Sequence, residues 1–161
     1  MPRDLRSELQ QRKPFGSLHQ ETFLNISRTH TLLDDAMARV LKPRGLALTQ
    51  YNVLRMLRGS GKEGLCRNEI RDRLITRMPD VTRLLDRMEE AGFISRVRGT
   101  VDRRLVRTTL TKQGRALVGT LDDVVAAEHK RQLGHMTKKQ LQSLNELLTR
   151  ALTVPSRAFI E

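Results

Sequence analysis

The spacing of the apolar residues constrains the fold of this chain more than any other feature, because that spacing changes twice along the sequence. Apolar side chains recur at helical intervals in four successive segments up to about residue 91. Residues 93–98 and 105–110 are short, rich in β-branched residues and separated by a charged stretch, as in a β-hairpin. Two further segments with helical spacing follow. The sequence therefore predicts a mostly α fold with one small β-hairpin, in the order four helices, hairpin, two helices.

Residue types that start or stop helices stand at the ends of these segments. The predicted starts are Ser17, Thr49, Pro79, Thr111 and Thr137, the last with Gln140 three residues later as in a capping box. The predicted stops are Pro43 with Gly45, residues 59–61, and Gly92. A short third helix is predicted to carry Ile70 and Leu74. From Thr111 we predict one long helix with Leu117, Leu121, Val124 and Val125 as its apolar residues.

The order of these elements predicts the domain organisation. Three helices followed by a hairpin, over about 48–110, are typical of a winged helix-turn-helix. Residues 1–16 are predicted to form a basic N-terminal arm, and residues 17–161 one domain, which suits a chain of 161 residues. The outer helices, about 17–42 and 112–153, carry apolar stripes that a small central domain does not need. We expect these helices to bury their stripes in a twofold homodimer.

The charge of the chain predicts an anionic partner. Lys and Arg number 30 against 18 Asp and Glu, a formal net charge of +12. A membrane partner is disfavoured, because no apolar stretch approaches the length of a membrane span and the apolar stripes lack interfacial Trp and Phe. Sequence motifs of enzymes, such as a glycine-rich phosphate loop, are absent, so we expect neither enzymatic activity nor a cofactor. A single cysteine and a charged N-terminus predict the reducing cytoplasm.

The candidate DNA-binding residues surround the start of the fourth helix, where a recognition helix contacts bases in the major groove. They are Arg67, Asn68, Thr76, Arg77, Met78, Pro79, Asp80, Thr82, Arg83 and Arg87. Arg77 or Arg83 could make a bidentate contact to guanine. Asp80 suits the helix dipole, yet phosphates repel it unless it pairs with an arginine or accepts from cytosine. The alternative is that these arginines only solvate one helix face, balanced by Asp80 and Asp86.

Arginines are also concentrated in the predicted hairpin. Five of them stand within twelve consecutive residues, namely Arg96, Arg98, Arg103, Arg104 and Arg107. An arginine on a projecting hairpin suits the narrow minor groove, where the negative potential is strongest. We therefore add Arg103 and Arg104, at the tip, to the DNA-binding residues. Asp102 is predicted to pair with a neighbouring arginine and to stabilise the turn.

Four blocks of this sequence together resemble the MarR family of bacterial regulators. They are the residues from Gly45 to Leu57, those from Val81 to Ile94, Asp102-Arg-Arg104, and Leu110-Thr-x-x-Gly114, and the resemblance covers about 17–153. It implies a homodimer formed by the outer helices, and a recognition helix at about 78–91. It also implies a wing whose Asp102 and Arg104 match the family's Asp-x-Arg motif, with the arginine in the minor groove. Family members usually repress a nearby operon, and many release DNA when a small anionic or phenolic ligand binds between the dimerisation and DNA-binding parts.

The predicted function is therefore that of a sequence-specific transcriptional regulator, a homodimeric repressor that binds an inverted-repeat operator in double-stranded DNA and is released by a small-molecule effector. One alternative is a redox sensor, because the thiol of Cys66 stands at a helix start beside Arg67. The favoured interpretation of Cys66 is a small cap in a capping box with Glu69. A second alternative is a basic winged-helix adaptor that binds proteins. The Glu128-His129 pair has no ligand one turn later, so no metal site is predicted.

Overall fold

The helices of the computed structural model occupy the segments in which the sequence shows a helical repeat. The model describes residues 4–76, 79–98 and 105–153. The helices are α1 Leu5–Glu8, α2 Leu18–Leu41, α3 Leu48–Ser60, α4 Arg67–Arg73, α5 Val81–Glu90, α6 Lys112–Gly119, α7 Asp122–Leu133 and α8 Lys138–Leu152, with a 3-10 turn over Lys42–Arg44. Three antiparallel strands, β1 Leu65–Cys66, β2 Ile94–Arg98 and β3 Val106–Leu110, form a sheet in the order β1-β3-β2. The predicted fold class, mostly α with a small β wing, is confirmed.

The hairpin was predicted, but the third strand of its sheet was not. β1 contains only two residues, Leu65 opposite Thr108 and Cys66 opposite Arg107, which is too short to show a strand repeat in the sequence. Its approach to β3 requires a glycine at position 64. A Cβ on Gly64 would lie 2.3 Å from the carbonyl oxygen of Thr108, and the residue has a φ of +64°.

Three predicted caps are present in the structure. The hydroxyl oxygens of Ser17, Thr111 and Thr137 accept hydrogen bonds from the backbone N–H three residues later, at 3.1, 3.0 and 3.3 Å. The predicted cap at Thr49 is wrong. The helix begins one residue earlier, at Leu48, and the side-chain oxygen of Gln50 accepts from the N–H of Ala47 at 2.9 Å. This bond satisfies the first N–H group without a hydroxyl at the cap position.

The long helix predicted from Thr111 is also wrong, since the chain forms two helices, α6 and α7. At the break the hydroxyl of Thr120 donates to the carbonyl oxygen of Leu117 at 2.7 Å. The N–H of Leu121 donates to the carbonyl oxygen of Val118 at 3.2 Å, which is a 3-10 bond. These bonds replace α-helical ones and turn the fully buried Leu121 into the core.

The chain divides into two compact units after Val125. In the first unit one continuous apolar core joins the helices to the sheet. Its most deeply buried members are aliphatic, as the composition implies, and include Leu41, Leu54, Leu57, Ile70, Leu85, Met88, Ile94 and Leu121. The described part of the predicted N-terminal arm contains α1, with Leu5 buried and Glu8 in an ion pair with Arg28 at 2.6 Å. Within the described residues, no helix is long and apolar enough to cross a membrane.

Candidate nucleic-acid interface

Helix α5 has one face in the core and one face in solvent. Val81, Leu84, Leu85 and Met88 are buried, because their spacing places them on the same side of the helix. Thr82, Arg83 and Arg87 are exposed. The apolar contacts therefore hold the helix on the domain, while a side that contains two arginines stays available to a ligand.

Asp80 caps this helix, which decides between the roles considered for it. Its Oδ1 accepts a hydrogen bond from the N–H of Arg83 at 2.9 Å. The helix begins at Val81, so Pro79 precedes the cap and does not occupy the first helical position. The Asp80 carboxylate thereby stabilises the N-terminus of the helix, which explains an acidic residue on a surface that is otherwise basic.

The described residues provide no carboxylate partner for the guanidinium groups of Arg83 and Arg87. Neither of the two acids that the alternative interpretation assigns to balance these arginines forms an ion pair with them, since Asp80 caps the helix and Asp86 pairs with Arg96 at 2.6 Å. The positive charge on the exposed side of α5 is therefore not neutralised by ion pairs with Asp80 or Asp86.

The start of α4 lies beside the start of α5. Arg67 and Asn68 are exposed, and Nη1 of Arg67 donates to the hydroxyl oxygen of Thr82 at 3.4 Å. This contact brings the two segments predicted to bind DNA to one surface. Thr76 and Pro79, in the connection between the helices, are also exposed.

The capping role predicted for Cys66 is only half present. The carboxylate of Glu69 accepts from the N–H of Cys66 at 2.7 Å, but the thiol makes no capping hydrogen bond. The hydrogen bonds from the N–H and the thiol of Cys66, with Arg107 as a further contributor, lower the pKa of Glu69. The thiol is in no disulfide and is half-buried, and it lines a cleft of about 320 Å³ together with residues that include Arg67, Asn68, Thr82, Arg96 and Thr108.

Two arginines of the hairpin pair with carboxylates of the helices, which the sequence did not indicate. Arg96 of β2 donates from Nε to Glu89 at 2.7 Å and from Nη2 to Asp86 at 2.6 Å. Arg107 of β3 donates from Nη1 to Glu69 at 3.0 Å. The sequence showed only Asp102 among the hairpin arginines. Glu89 and Glu69 lie 7 and 38 residues away from their arginines along the chain, where no local pattern connects them to the hairpin.

Five of the predicted site residues lie outside the described residues. They are Arg77 and Met78, which precede α5 in the sequence, and Asp102, Arg103 and Arg104, which lie between β2 and β3 in the sequence. The side chains on either side of the tip, Arg98 and Leu105, are exposed. The roles of the five residues outside the described part of the chain remain predictions.

The Glu128-His129 pair considered for a metal site is engaged elsewhere or on the surface. His129 is exposed, as are His19 and His30, and Glu128 accepts hydrogen bonds from Arg131. In the part of the chain that the structure describes, no three His, Cys, Asp or Glu side chains form a group that could bind a metal ion.

The region that contains these sites matches one family of known proteins. The MarR family model matches residues 46–106, from the residues before α3 to the start of β3. The HTH-type transcriptional repressor Mb2911 of Mycobacterium bovis is 30% identical over 121 residues, which are 75% of this chain and 86% of that relative. The chain belongs to the MarR family. The resemblance stated from the sequence is thereby confirmed.

Solved MarR-family structures have the same fold. The MarR transcription factor from Planctomyces limnophilus is 37% identical, with a TM-score of 0.65 over 84% of this chain and 98% of that chain. A cysteine-to-serine variant of MarR from E. coli, complexed with operator DNA, has a TM-score of 0.74 over 93% of this chain and 99% of that chain, at 22% identity. This MarR-family chain therefore has the winged-helix fold of these structures.

Proposed function

We propose that this MarR-family protein is a homodimeric repressor that binds an inverted-repeat operator in double-stranded DNA. The observation that carries the proposal is the unequal pairing of the arginines in the winged helix. Those at the base of the hairpin are neutralised by carboxylates, whereas Arg83 and Arg87 on the exposed side of α5 have no carboxylate partner among the described residues. Unpaired guanidinium groups on an exposed helix face suit both phosphate oxygens and guanine edges.

Exposed apolar residues on the outer helices support the homodimer. In the first unit α2 exposes Leu18, Phe23, Ile26 and Leu32, and in the second unit α8 exposes Leu147, Leu148 and Leu152. No side chain of α8 is buried within a single chain. Apolar side chains repeated along a helix stabilise a protein only when another surface covers them. A second copy of the chain related by a twofold axis would cover both helices and would space two recognition helices for an inverted repeat.

An open cleft at the junction of α2 and α3 supports release by a small effector. Its volume is about 670 Å³, and its lining includes the apolar Leu46 and Ala47 together with Arg39, Lys42 and Asp35. Apolar walls with two cationic side chains against one carboxylate have a net positive charge, which suits an aromatic or aliphatic anion. Because this cleft joins an outer helix to the first helix of the winged domain, a ligand there could change the angle between them and thereby the spacing of the recognition helices.

The salt dependence of DNA binding tests the proposal against a protein-binding adaptor. If the dimer neutralises roughly six to ten phosphates, the affinity should fall by about 10³- to 10⁵-fold between 50 and 200 mM salt. Filter binding to the protein's own promoter at three salt concentrations measures this slope. Arg87→Ala should reduce the slope if Arg87 binds phosphate, and Lys139→Ala in α8 is the matched control for the loss of one positive charge. Weak binding that does not change with salt would contradict the proposed function and favour the adaptor.

A further inference from the structure

Three carboxylates attach the base of the hairpin to α4 and α5, the two helices of the helix-turn-helix. On β2, the backbone N–H of Arg96 donates to Oε1 of Glu89 at 2.9 Å, and its Nε donates to Oε2 at 2.7 Å. Its Nη2 reaches Asp86 as well, at 2.6 Å, so Arg96 is bonded to two successive turns of α5. The side chain of Arg96 is three-quarters buried, so this pair is less screened by solvent than a surface ion pair.

On β3, the corresponding contact goes to α4. Nη1 of Arg107 donates to Oε2 of Glu69 at 3.0 Å, and the same carboxylate accepts from the N–H of Cys66 at 2.7 Å. Glu69 therefore bonds both the first turn of α4 and the strand that follows the hairpin tip. The backbone pairing of β1 with β3 holds this strand in addition.

The two attachments lie on opposite faces of the hairpin. Arg96 is paired with Thr108, and Arg107 with the next residue along the other strand, Val97. Neighbouring positions in a strand point their side chains to opposite faces. Each helix of the helix-turn-helix thus holds one strand from one face. Only one more described pair, Arg98 with Val106, separates these attachments from the tip residues 99–104.

We propose that Glu89 and Glu69 are positioning residues for DNA binding, which set the orientation of the wing relative to the recognition helix through Arg96 and Arg107. This inference rests on the proposed function. A wing and a recognition helix that bind one duplex together gain affinity when their relative orientation is set before binding. The hydrogen bonds from Arg96 lower the pKa of Glu89, so this carboxylate stays ionised, and the attachment intact, at neutral pH.

The sign of the effect on affinity distinguishes positioning from simple electrostatics. A carboxylate beside DNA repels phosphates, so its removal should strengthen binding unless the carboxylate positions another group. Glu90→Gln is the matched control for Glu89→Gln, because Glu90 is the next residue of α5, is exposed and has no ion pair among the described residues. We expect Glu89→Gln and Glu69→Gln to weaken operator binding by roughly threefold to thirtyfold. Glu90→Gln should leave it unchanged or tighter.

Each affinity is measured with the concentration of folded dimer determined by stoichiometric titration, so that a loss of stability is not mistaken for a loss of affinity. Arg104→Ala is then combined with Glu89→Gln. If Glu89 acts by orienting the wing, Arg104→Ala should cost less in the Glu89→Gln background than in the wild type. A change in stability alone would not reduce the effect of Arg104→Ala.

Three results would overturn the inference. In the first, Glu89→Gln and Glu90→Gln change the affinity alike, and in the second, the effects of Glu89→Gln and Arg104→Ala are additive. In the third, Arg104→Ala has no effect in either background, so that the wing contributes nothing for Glu89 to position. In all three the wild type still binds the operator. If the wild type itself binds weakly and without dependence on salt, the proposed function has failed instead.

Discussion

At the residue scale, the partner of each arginine is more informative than the number of arginines. Arg96 forms ion pairs with Asp86 and Glu89, and Arg107 forms one with Glu69, all within the domain. Arg83 and Arg87 have the same chemistry, but no carboxylate partner among the described residues. A neutralised guanidinium attracts DNA weakly, because its field is cancelled by the adjacent carboxylate. The net charge therefore predicts an anionic partner such as DNA. The ion pairs show which arginines are neutralised within the domain and which have no carboxylate partner among the described residues.

The first residue-scale prediction separates Arg83 from Arg104. If Arg83 contacts a base edge, Arg83→Ala should cost about 1–3 kcal/mol on the best site and relax the preference at one symmetric pair of positions, about 10–10.5 bp apart. Arg104→Ala should weaken binding to all sites, most where an A/T-rich flank narrows the minor groove. Selection of binding sites from random DNA measures both effects. A selected motif that is unchanged by Arg83→Ala would mean that Arg83 contacts phosphate.

The second residue-scale prediction concerns the thiol of Cys66. The cap of α4 is the carboxylate of Glu69, and the thiol makes no capping bond. We expect Cys66→Ser to leave both DNA binding and its response to peroxide unchanged, because serine is small and tolerated at a helix start. Gel-shift titrations with and without peroxide measure this. Peroxide-induced release that disappears in the serine variant would support the redox alternative instead.

At the element scale, short-range hydrogen bonds decide where each helix begins and ends. Gln50 caps α3 at a position where the sequence has no hydroxyl, and Thr120 divides the segment after the hairpin into two helices. In both places a side chain bonds the backbone within one turn of itself. Residue types that could make such bonds are common in the chain, so only the local geometry shows which of them do.

The element-scale prediction tests the cap of α5. Asp80→Ala should lower the free energy of unfolding by about 1 kcal/mol, because the N–H of Arg83 loses its acceptor. Asp80→Asn is the control, since its side-chain oxygen can still accept that bond. The asparagine variant should keep most of the stability and bind DNA at least as tightly as the wild type, because one negative charge is removed near the phosphates. Urea denaturation and operator titration measure these quantities. Equal stability of the two variants would contradict a capping role for Asp80.

At the scale of the whole molecule, the outer helices have more apolar surface than one chain covers. Leu147 and Leu152 of α8 are 62% and 85% exposed, and Phe23 of α2 is 67% exposed. Side chains of this size are normally buried, because each contributes roughly 1.5–3 kcal/mol when it leaves water. In the proposed homodimer, the second chain would bury these side chains.

The prediction at this scale is that a charge in the apolar stripe of α8 dissociates the dimer. Leu148→Asp would place an unpaired carboxylate in the proposed interface, at a cost of several kcal/mol. Because α8 buries no side chain within one chain, we expect a folded monomer with nearly unchanged helix content. Sedimentation at micromolar concentration and circular dichroism measure the two properties. Gln142→Asp, at an exposed position on the other side of the same helix, is the control and should remain dimeric. A wild-type monomer that binds an inverted repeat would contradict the proposed assembly.

The sequence by itself determined the features that depend on neighbouring residues. The helical repeat, the two strand-like segments and caps such as Ser17, Thr111 and Thr137 are local patterns, and the fold class follows from them. The buried residues Val81, Leu84, Leu85 and Met88 also follow, because a helix with an apolar stripe turns that stripe to the core. For the same reason, the exposed positions of Thr82, Arg83 and Arg87 could be inferred from the repeat alone.

Only the tertiary structure decided the features that depend on residues distant along the chain. The pairing of Arg107 with Glu69 spans 38 residues, and β1 joins the sheet through two residues beside Gly64. An ion pair forms wherever packing of the apolar core brings opposite charges within a few ångströms, so the sequence of charges does not specify its partners. The same packing assigned Asp86 to Arg96, which left the arginines of α5 available to a ligand.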